Sequence, residues 1–208
     1  MKNLKQYTFL FCIILSLFSS CSKAQENSSK NETLNNKKVL IVYLSRTKNT
    51  KTVAEIIHQN IGGNLVELEL ENPYPENYKQ IVEQVAKENE TNFLPKLKTE
   101  IENIQDYDTI FIGCPTWGMQ LPPPMKSFLK QYDLSAKTII PFNTNAGYGL
   151  GNSLETIKEM SPKSKILKEL STKGGKEKDG ILFVMKDEKE VQVKDEVKKW
   201  LKSLGLIN

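Results

Sequence analysis

Three short stretches of this chain concentrate the residues that could do chemistry. Ser45-Arg46-Thr47-Lys48-Asn49-Thr50 places three hydroxyls and two cations in six positions. It sits between the apolar run Val39-Leu40-Ile41-Val42-Tyr43-Leu44 and an amphipathic stretch with Val53, Ile56, Ile57 and Ile61 at helical spacing. A turn that opens a helix presents unpaired backbone N–H groups and the positive end of the helix dipole. Such a turn serves either as a well-capped helix start or as a site for a phosphate. It matches neither GxxxxGK[ST] nor GxGxxG, which argues against a nucleotide-triphosphate loop or a Rossmann turn.

The second stretch, Pro115-Thr116-Trp117-Gly118-Met119-Gln120, ends another apolar run, Thr109 to Cys114, and leads into Leu121-Pro122-Pro123-Pro124. Its prolines rigidify the loop, and its indole either plugs the core or offers a flat face to a planar ligand. The third is Asn143-Thr144-Asn145-Ala146-Gly147-Tyr148-Gly149-Leu150-Gly151. Three glycines permit positive φ and close backbone approach. The loop is therefore either flexible or ligand-binding, with Tyr148 free to stack.

Composition removes other chemistries. His58 is the only histidine and lies on the first amphipathic stretch, away from any GxSxG-like turn, so it reads as a helix-surface residue. Of the three cysteines, Cys12 and Cys21 fall in the N-terminal segment, leaving Cys114 without a disulfide partner. The net charge of +4 comes from lysines interspersed with acidic residues rather than gathered in a stripe, so no nucleic-acid partner is expected.

The elements that must position these stretches alternate in type. Strands are expected at 39–44, 65–70, 109–114, 137–142 and 166–170, with a further extended run at 181–185. Helices are expected to follow the first four strands, and a closing helix to span 193–204 with Val197, Trp200 and Leu201 inward. The second strand alternates Val66, Leu68 and Leu70 with Glu67 and Glu69, as an edge strand with one wet face does. Tyr74 and Tyr78, near Pro73 and Pro75, read as packing residues or a ligand wall. Five strands alternating with helices imply right-handed crossovers and an α/β, doubly wound, five-stranded parallel sheet with helices on both faces. In the order 2-1-3-4-5, the loops after strands one, three and four converge on one crevice.

The N-terminus is a different kind of sequence. Lys2 and Lys5, the apolar run Phe9 to Phe18, and Ser19-Ser20 before Cys21 resemble a bacterial lipoprotein signal, in which Cys21 is lipidated. Residues 22–36 are rich in Ser, Asn, Lys and Glu and read as a flexible tether. The expected organisation is a signal at 1–21, a tether at 22–36 and one domain at 37–208, exported and held on the bacterial envelope by lipid.

Over residues 38–206 the chain resembles the flavodoxin family, and more closely its single-domain branch with a Ser-Arg-Thr-Gly-Asn-Thr phosphate loop. Ser45 to Thr50 matches that loop except at Lys48. Thr116-Trp117-Gly118 matches the loop covering a flavin ring, and Asn143 to Gly151 the second ring-side loop. The resemblance implies FMN. Its phosphate would be held by the hydroxyls of Ser45, Thr47 and Thr50 and by N–H groups from Arg46 to Thr50, around Lys48 and Asn49. Its ring would lie between Pro115-Thr116-Trp117-Gly118 and the loop carrying Thr144, Asn145, Gly147, Tyr148 and Gly149. Gly118 would supply a peptide that turns over cheaply beside the ring. The implied function is electron transfer to a redox partner protein or a small acceptor. The alternatives are an FMN-dependent NAD(P)H:quinone reductase and a lipoprotein binding module that has lost its flavin. If the Lys48 position requires φ > 0, the side chain costs about 1 kcal/mol there.

Overall fold

Val39-Leu40-Ile41-Val42-Tyr43 has no polar side on its pleat. In the computed structural model, which describes residues 37–208, it forms β1 (Val39–Tyr43), a central strand buried along its whole length. Leu40 and Val42 join a core on one face of the sheet, while Val39, Ile41 and Tyr43 join a second core on the other. Each fully buried aliphatic of this kind contributes roughly 1.5–3 kcal/mol. The expected signal segment, Cys21 and the tether lie outside the described residues.

The described chain runs α1 (Asn49–Ile61), β2 (Asn64–Glu67), α2 (Tyr78–Thr91), β3 (Thr109–Pro115), α3 (Pro123–Gln131), β4 (Thr138–Asn145), α4 (Ser153–Met160), β5 (Lys165–Ile166), β6 (Leu170–Lys173) and α5 (Asp187–Ser203). All the strand pairs are parallel, in the expected order β2-β1-β3-β4-β5, with β6 also on β4. α1 and α5 cover one face, where Val53, Ile57, Val197, Trp200 and Leu201 are buried. α3 and α4 cover the other with Met125, Phe128 and Ile157. The architecture is therefore a sheet covered by helices on both faces, and the loops after β1, β3 and β4 leave it at one end.

Three expectations are corrected. The fifth strand is not one run at 166–170 but two pieces, β5 and β6, that pair the start and the end of β4. Leu167 N–H still donates to Ile139 O, so Ile139 faces this neighbour, and so does Pro141 two residues on. Pro141 has no N–H to give, and the partner carries one extra residue across the gap, as at a bulge. Trp200 Nε1 donates to the stranded carbonyl of Lys168 at 2.9 Å. The run 181–185 is not a strand: after an isolated bridge from Lys176 to Ile181 it becomes a strap with no ladder. β2 stops at Glu67, although Leu68 N–H still bonds Tyr43 O and Leu70 pairs antiparallel with Leu97.

That last pairing explains α2. The chain leaves β2 and returns through a short antiparallel stem: Glu71 N–H donates to Lys96 O, and Lys98 N–H to Glu69 O. α2 lies on the excursion between. Asn77 caps it by accepting from Lys79 N–H and Gln80 N–H. Ile81 and Val85, its buried aliphatics, belong to neither sheet core. Its attachment runs to α3 instead, through Lys126 Nζ to Asn89 Oδ1 at 2.9 Å and Ser127 Oγ to Pro95 O at 2.7 Å. Among the described residues, no helix is long and apolar enough to cross a membrane.

Candidate functional site

The carboxyl ends of β1, β3 and β4 open into a cleft of about 640 Å³. At one end is the turn from Ser45 to Thr50. Lys48 adopts φ 65°, ψ −6°, the left-handed conformation that the sequence flagged as costly, and it starts α1 without a side-chain cap. Ser45 Oγ instead accepts from Lys51 N–H at 3.2 Å. Backbone N–H groups from Arg46 to Thr50 have no protein acceptor among the described residues. These donors, at the positive end of a 13-residue helix, form a cradle for an anion.

The side chains of this turn do work that sequence reasoning did not assign. Asn49 is 3% exposed; its amide donates to Thr47 Oγ1 (2.8 Å) and Leu182 O (2.6 Å), and its oxygen accepts from Val184 N–H (3.0 Å). It ties the strap to the anion turn. Arg46 Nε pairs with Glu177 Oε1 at 2.9 Å, and its terminal nitrogens donate to Pro75 O and Glu76 O. The guanidinium thus bridges the loops after β2 and β6 across the cleft mouth. Thr50 and Thr144 share a hydrogen bond of 2.8 Å between their hydroxyls, joining the first and third loops.

The loop after β3 is a two-residue hairpin. Trp117 and Gln120 pair, and both central residues have positive φ, 56° at Gly118 and 60° at Met119, as a type I′ turn demands. Trp117 is held edge-on by Tyr74, with ring centroids 5.4 Å apart at 85°. Tyr74 Oη donates to the buried carboxylate of Glu88, and burial together with that bond drives its phenol pKa upward. Thr116 Oγ1 donates to Gly149 O at 2.7 Å, and Asn152 N–H to Met119 O at 3.0 Å, knitting the second and third loops together. Gly151 permits this approach: a Cβ there would lie 2.0 Å from Met119 O.

Of the expected residues, Arg46, Thr47, Asn49, Thr50, Pro115, Thr116, Trp117, Gly118, Thr144, Asn145 and Tyr148 line the cleft. Ser45, Lys48, Gly147 and Gly149 are not on its wall. Lys48 is exposed, and Gly147 N–H and Gly149 N–H turn inward to Asn145 Oδ1 at 2.9 and 3.1 Å. The glycines of the third loop therefore shape it around Asn145, which is itself anchored by Ser171 Oγ at 3.0 Å. Tyr148 is 66% exposed at the rim.

Two further parts of the wall went unassigned in the sequence. Gly174 to Lys178, after β6, forms a fourth loop at the same end of the sheet. Its Gly-Gly pair after the last strand was the available signal. The other is a face of α2 with Ile81, Val82, Val85, Ala86 and Asn89, which continues from Tyr78, the one residue there that the sequence offered as a ligand wall or packing residue.

The family model for flavodoxin matches residues 38–203. Among solved structures, the chain is similar to a protein from Bacteroides eggerthii DSM 20697 carrying a provisional flavoprotein assignment, with 26% identity over 81% of this chain and 98% of that one and a TM-score of 0.64. A Bacteroides uniformis ATCC 8492 protein with the same provisional assignment shares 23% identity over 80% and 98% of the two chains, with a TM-score of 0.65. A flavoprotein from Lactobacillus acidophilus NCFM, solved in complex with FMN, shares 23% identity over 65% and 93%, with a TM-score of 0.60. At 23% identity these two likenesses concern the fold. No match is found among curated proteins. With the matched region spanning nearly all of the described residues, this chain belongs to the flavodoxin family.

Proposed function

We propose that the cleft binds FMN and that the protein is an electron-transfer flavoprotein tethered to a bacterial membrane through Cys21. The observation that carries the reading is the run of N–H groups from Arg46 to Thr50 that have no acceptor among the described residues, set at one end of a cleft whose wall also holds Trp117 and Tyr148. These groups fit the phosphate and the planar ring of one ligand, and a flavoprotein of similar fold from Lactobacillus acidophilus NCFM was solved in complex with FMN. The N–H cradle binds the phosphate by charge-assisted hydrogen bonds, and no cation from Lys48 is required. Thr50 and Thr144 hold the anion turn and the third loop in fixed register. Trp117, fixed edge-on by Tyr74, orients the ring and excludes water from one side of it. When bound, FMN supplies reversible one- and two-electron transfer.

The direct test is titration of the flavin-free protein with FMN, read by flavin fluorescence. Quenching with one-to-one stoichiometry is expected. Absence of quenching at micromolar protein, with circular dichroism showing a folded domain, overturns the flavin reading. The tether rests on Lys2, Lys5, the apolar run to Phe18 and Ser19-Ser20-Cys21. Fractionation of cells expressing the wild type and Cys21→Ser tests it: the wild type is expected in membranes with a labelled acyl chain and the variant without one.

A further inference from the structure

We infer that Glu88 is a positioning residue of the cleft: its carboxylate on α2 fixes the phenol of Tyr74, and Tyr74 in turn sets the angle of the Trp117 indole. The consequence for a bound ring rests on the FMN reading, whereas the chain of contacts does not. Glu88 continues the buried stripe of Ile81 and Val85 on α2, where the pattern calls for an aliphatic. It is 6% exposed, and no cation pairs with it among the described residues. A carboxylate buried without a counter-charge is costly, and a neutral side chain of similar size would serve the helix better.

What the carboxylate does is hold two neutral donors. Oε2 accepts from Tyr74 Oη, and Oε1 accepts from Gln84 Nε2 at 2.8 Å, one turn back on the helix. Burial, and then the bond to Glu88, hold the Tyr74 phenol far above its usual range, so it remains a donor at every physiological pH. The Tyr74 ring is thereby fixed by its hydroxyl and stands at 85° to Trp117, with centroids 5.4 Å apart. Such a pair has a preferred geometry beyond the burial of its area. Trp117 has no other directional tie. Its indole N–H makes no protein hydrogen bond among the described residues, and its packing against the core under α3 supplies contact without an angle. The pair bonds of its hairpin, 3.0 and 3.4 Å, involve only the backbone. The neighbour of Glu88, Asn89, is held to α3 by Lys126 Nζ, so the carboxylate stands on an anchored turn. The angle of the indole is therefore set from α2 and not from the sheet.

The chain has two tryptophans, so isotope labelling of their indole nitrogens gives the full-length protein two resonances. Trp200, bonded to Lys168 O in the core on the other face of the sheet, is the internal control. In the flavin-free protein, Glu88→Ala and Tyr74→Phe are expected to move the Trp117 resonance and leave that of Trp200 in place. Glu88→Gln, whose amide oxygen still accepts from Tyr74, is expected to leave both in place. With FMN bound, the first two variants should release it about three- to tenfold faster, the worth of one oriented ring pair, with Glu88→Gln restored to the wild-type rate. The double variant Tyr74→Phe/Glu88→Ala should be no worse than either single one, since both break the same chain. A Trp117 resonance unmoved by Glu88→Ala overturns the proposal, and so does movement of both resonances together, which marks general loosening. Failure of Glu88→Gln to restore the wild-type behaviour, or additive effects in the double variant, also overturns it. Should FMN not bind at all, the flavin reading fails by itself, and the two indole resonances still decide the positioning role.

Discussion

Replacing Lys48 by glycine separates what the anion turn needs from what its sequence happens to carry. Lys48 sits at φ 65°, ψ −6° immediately before α1. An L-residue in that conformation costs about 1–2 kcal/mol, which glycine avoids. Glycine gives back about 0.5–1 kcal/mol through the larger entropy of the unfolded chain. A cation beside a helix N-terminus is also mildly unfavourable, so its removal adds a few tenths of a kcal/mol at an exposed site. The net expectation for Lys48→Gly is a gain of roughly 0.5–1 kcal/mol, or about 1–4 °C in melting temperature for a domain of this size. FMN affinity should change less than about threefold, because Lys48 is exposed, stands off the cleft wall, and is screened by salt. Differential scanning calorimetry and flavin quenching at low and high salt measure both quantities. A lower melting temperature refutes the backbone argument. A loss of FMN affinity beyond tenfold, abolished at high salt, shows that the ammonium reaches the phosphate and that the N–H cradle alone does not suffice.

Asn49→Ala strips partners from Leu182 O and Val184 N–H, leaving backbone groups near the cleft unpaired. It should cost about 2–3 kcal/mol in urea denaturation and speed proteolysis within the strap at 181–185. Gly118→Ala meets open space and should cost only about 1 kcal/mol, whereas Gly151→Ala combines φ 59° with a Cβ 2.0 Å from Met119 O. The second variant should be several kcal/mol less stable than the first, and equal stabilities refute the described contact between the loops. Burial pushes the Cys114 thiol up to about 12 from 9.0. Folding thus favours the protonated thiol, so its contribution is intact below pH 9 and is lost as pH rises from 9 toward 12 while the unfolded chain ionises. Stability of the wild type should fall with pH there by about 1 kcal/mol per unit more steeply than that of Cys114→Ala. Tyr43 and Tyr74, also raised by burial, affect both proteins equally. Parallel curves sink the argument.

The parts of this fold that were legible are those where a single local pattern decides the structure. The unbroken apolar runs of β1 and β3 could only be strands buried on both faces, and the loops after them carried hydroxyls, prolines and glycines in stretches too irregular for turns alone. Long-range accounting was not legible. Pro141 reads as a harmless residue until its missing N–H is set against Leu167 to Glu169, where it splits the expected fifth strand. Asn49 looked like one more polar residue of an anion turn, but two of its partners, Leu182 and Val184, lie more than 130 positions away. Ile181 to Met185 has strand composition and yet finds no free sheet edge. The apolar stripe of α2 was visible, and its destination was not, because amphipathicity states that a face is covered without stating by what.

The stem formed by Glu69 to Glu71 and Lys96 to Lys98 has a consequence for how such a cleft diversifies. The ends of the excursion are already hydrogen-bonded to one another before the chain turns down toward β3. Everything from Asn72 to Pro95 is therefore an excursion closed at its base, which enters and leaves through two adjacent backbone segments and is tied by side chains to Arg46, Trp117 and α3. Exchange of that excursion would rewrite one wall of the cleft while leaving β1 and both packed faces of the sheet in place, but it would also replace the carbonyls that Arg46 of the anion turn binds and the ring that holds Trp117. In this architecture the anion turn and the α2 wall of the cleft are built from separate stretches of chain, one continuous with the central strand and the other closed off by its own stem.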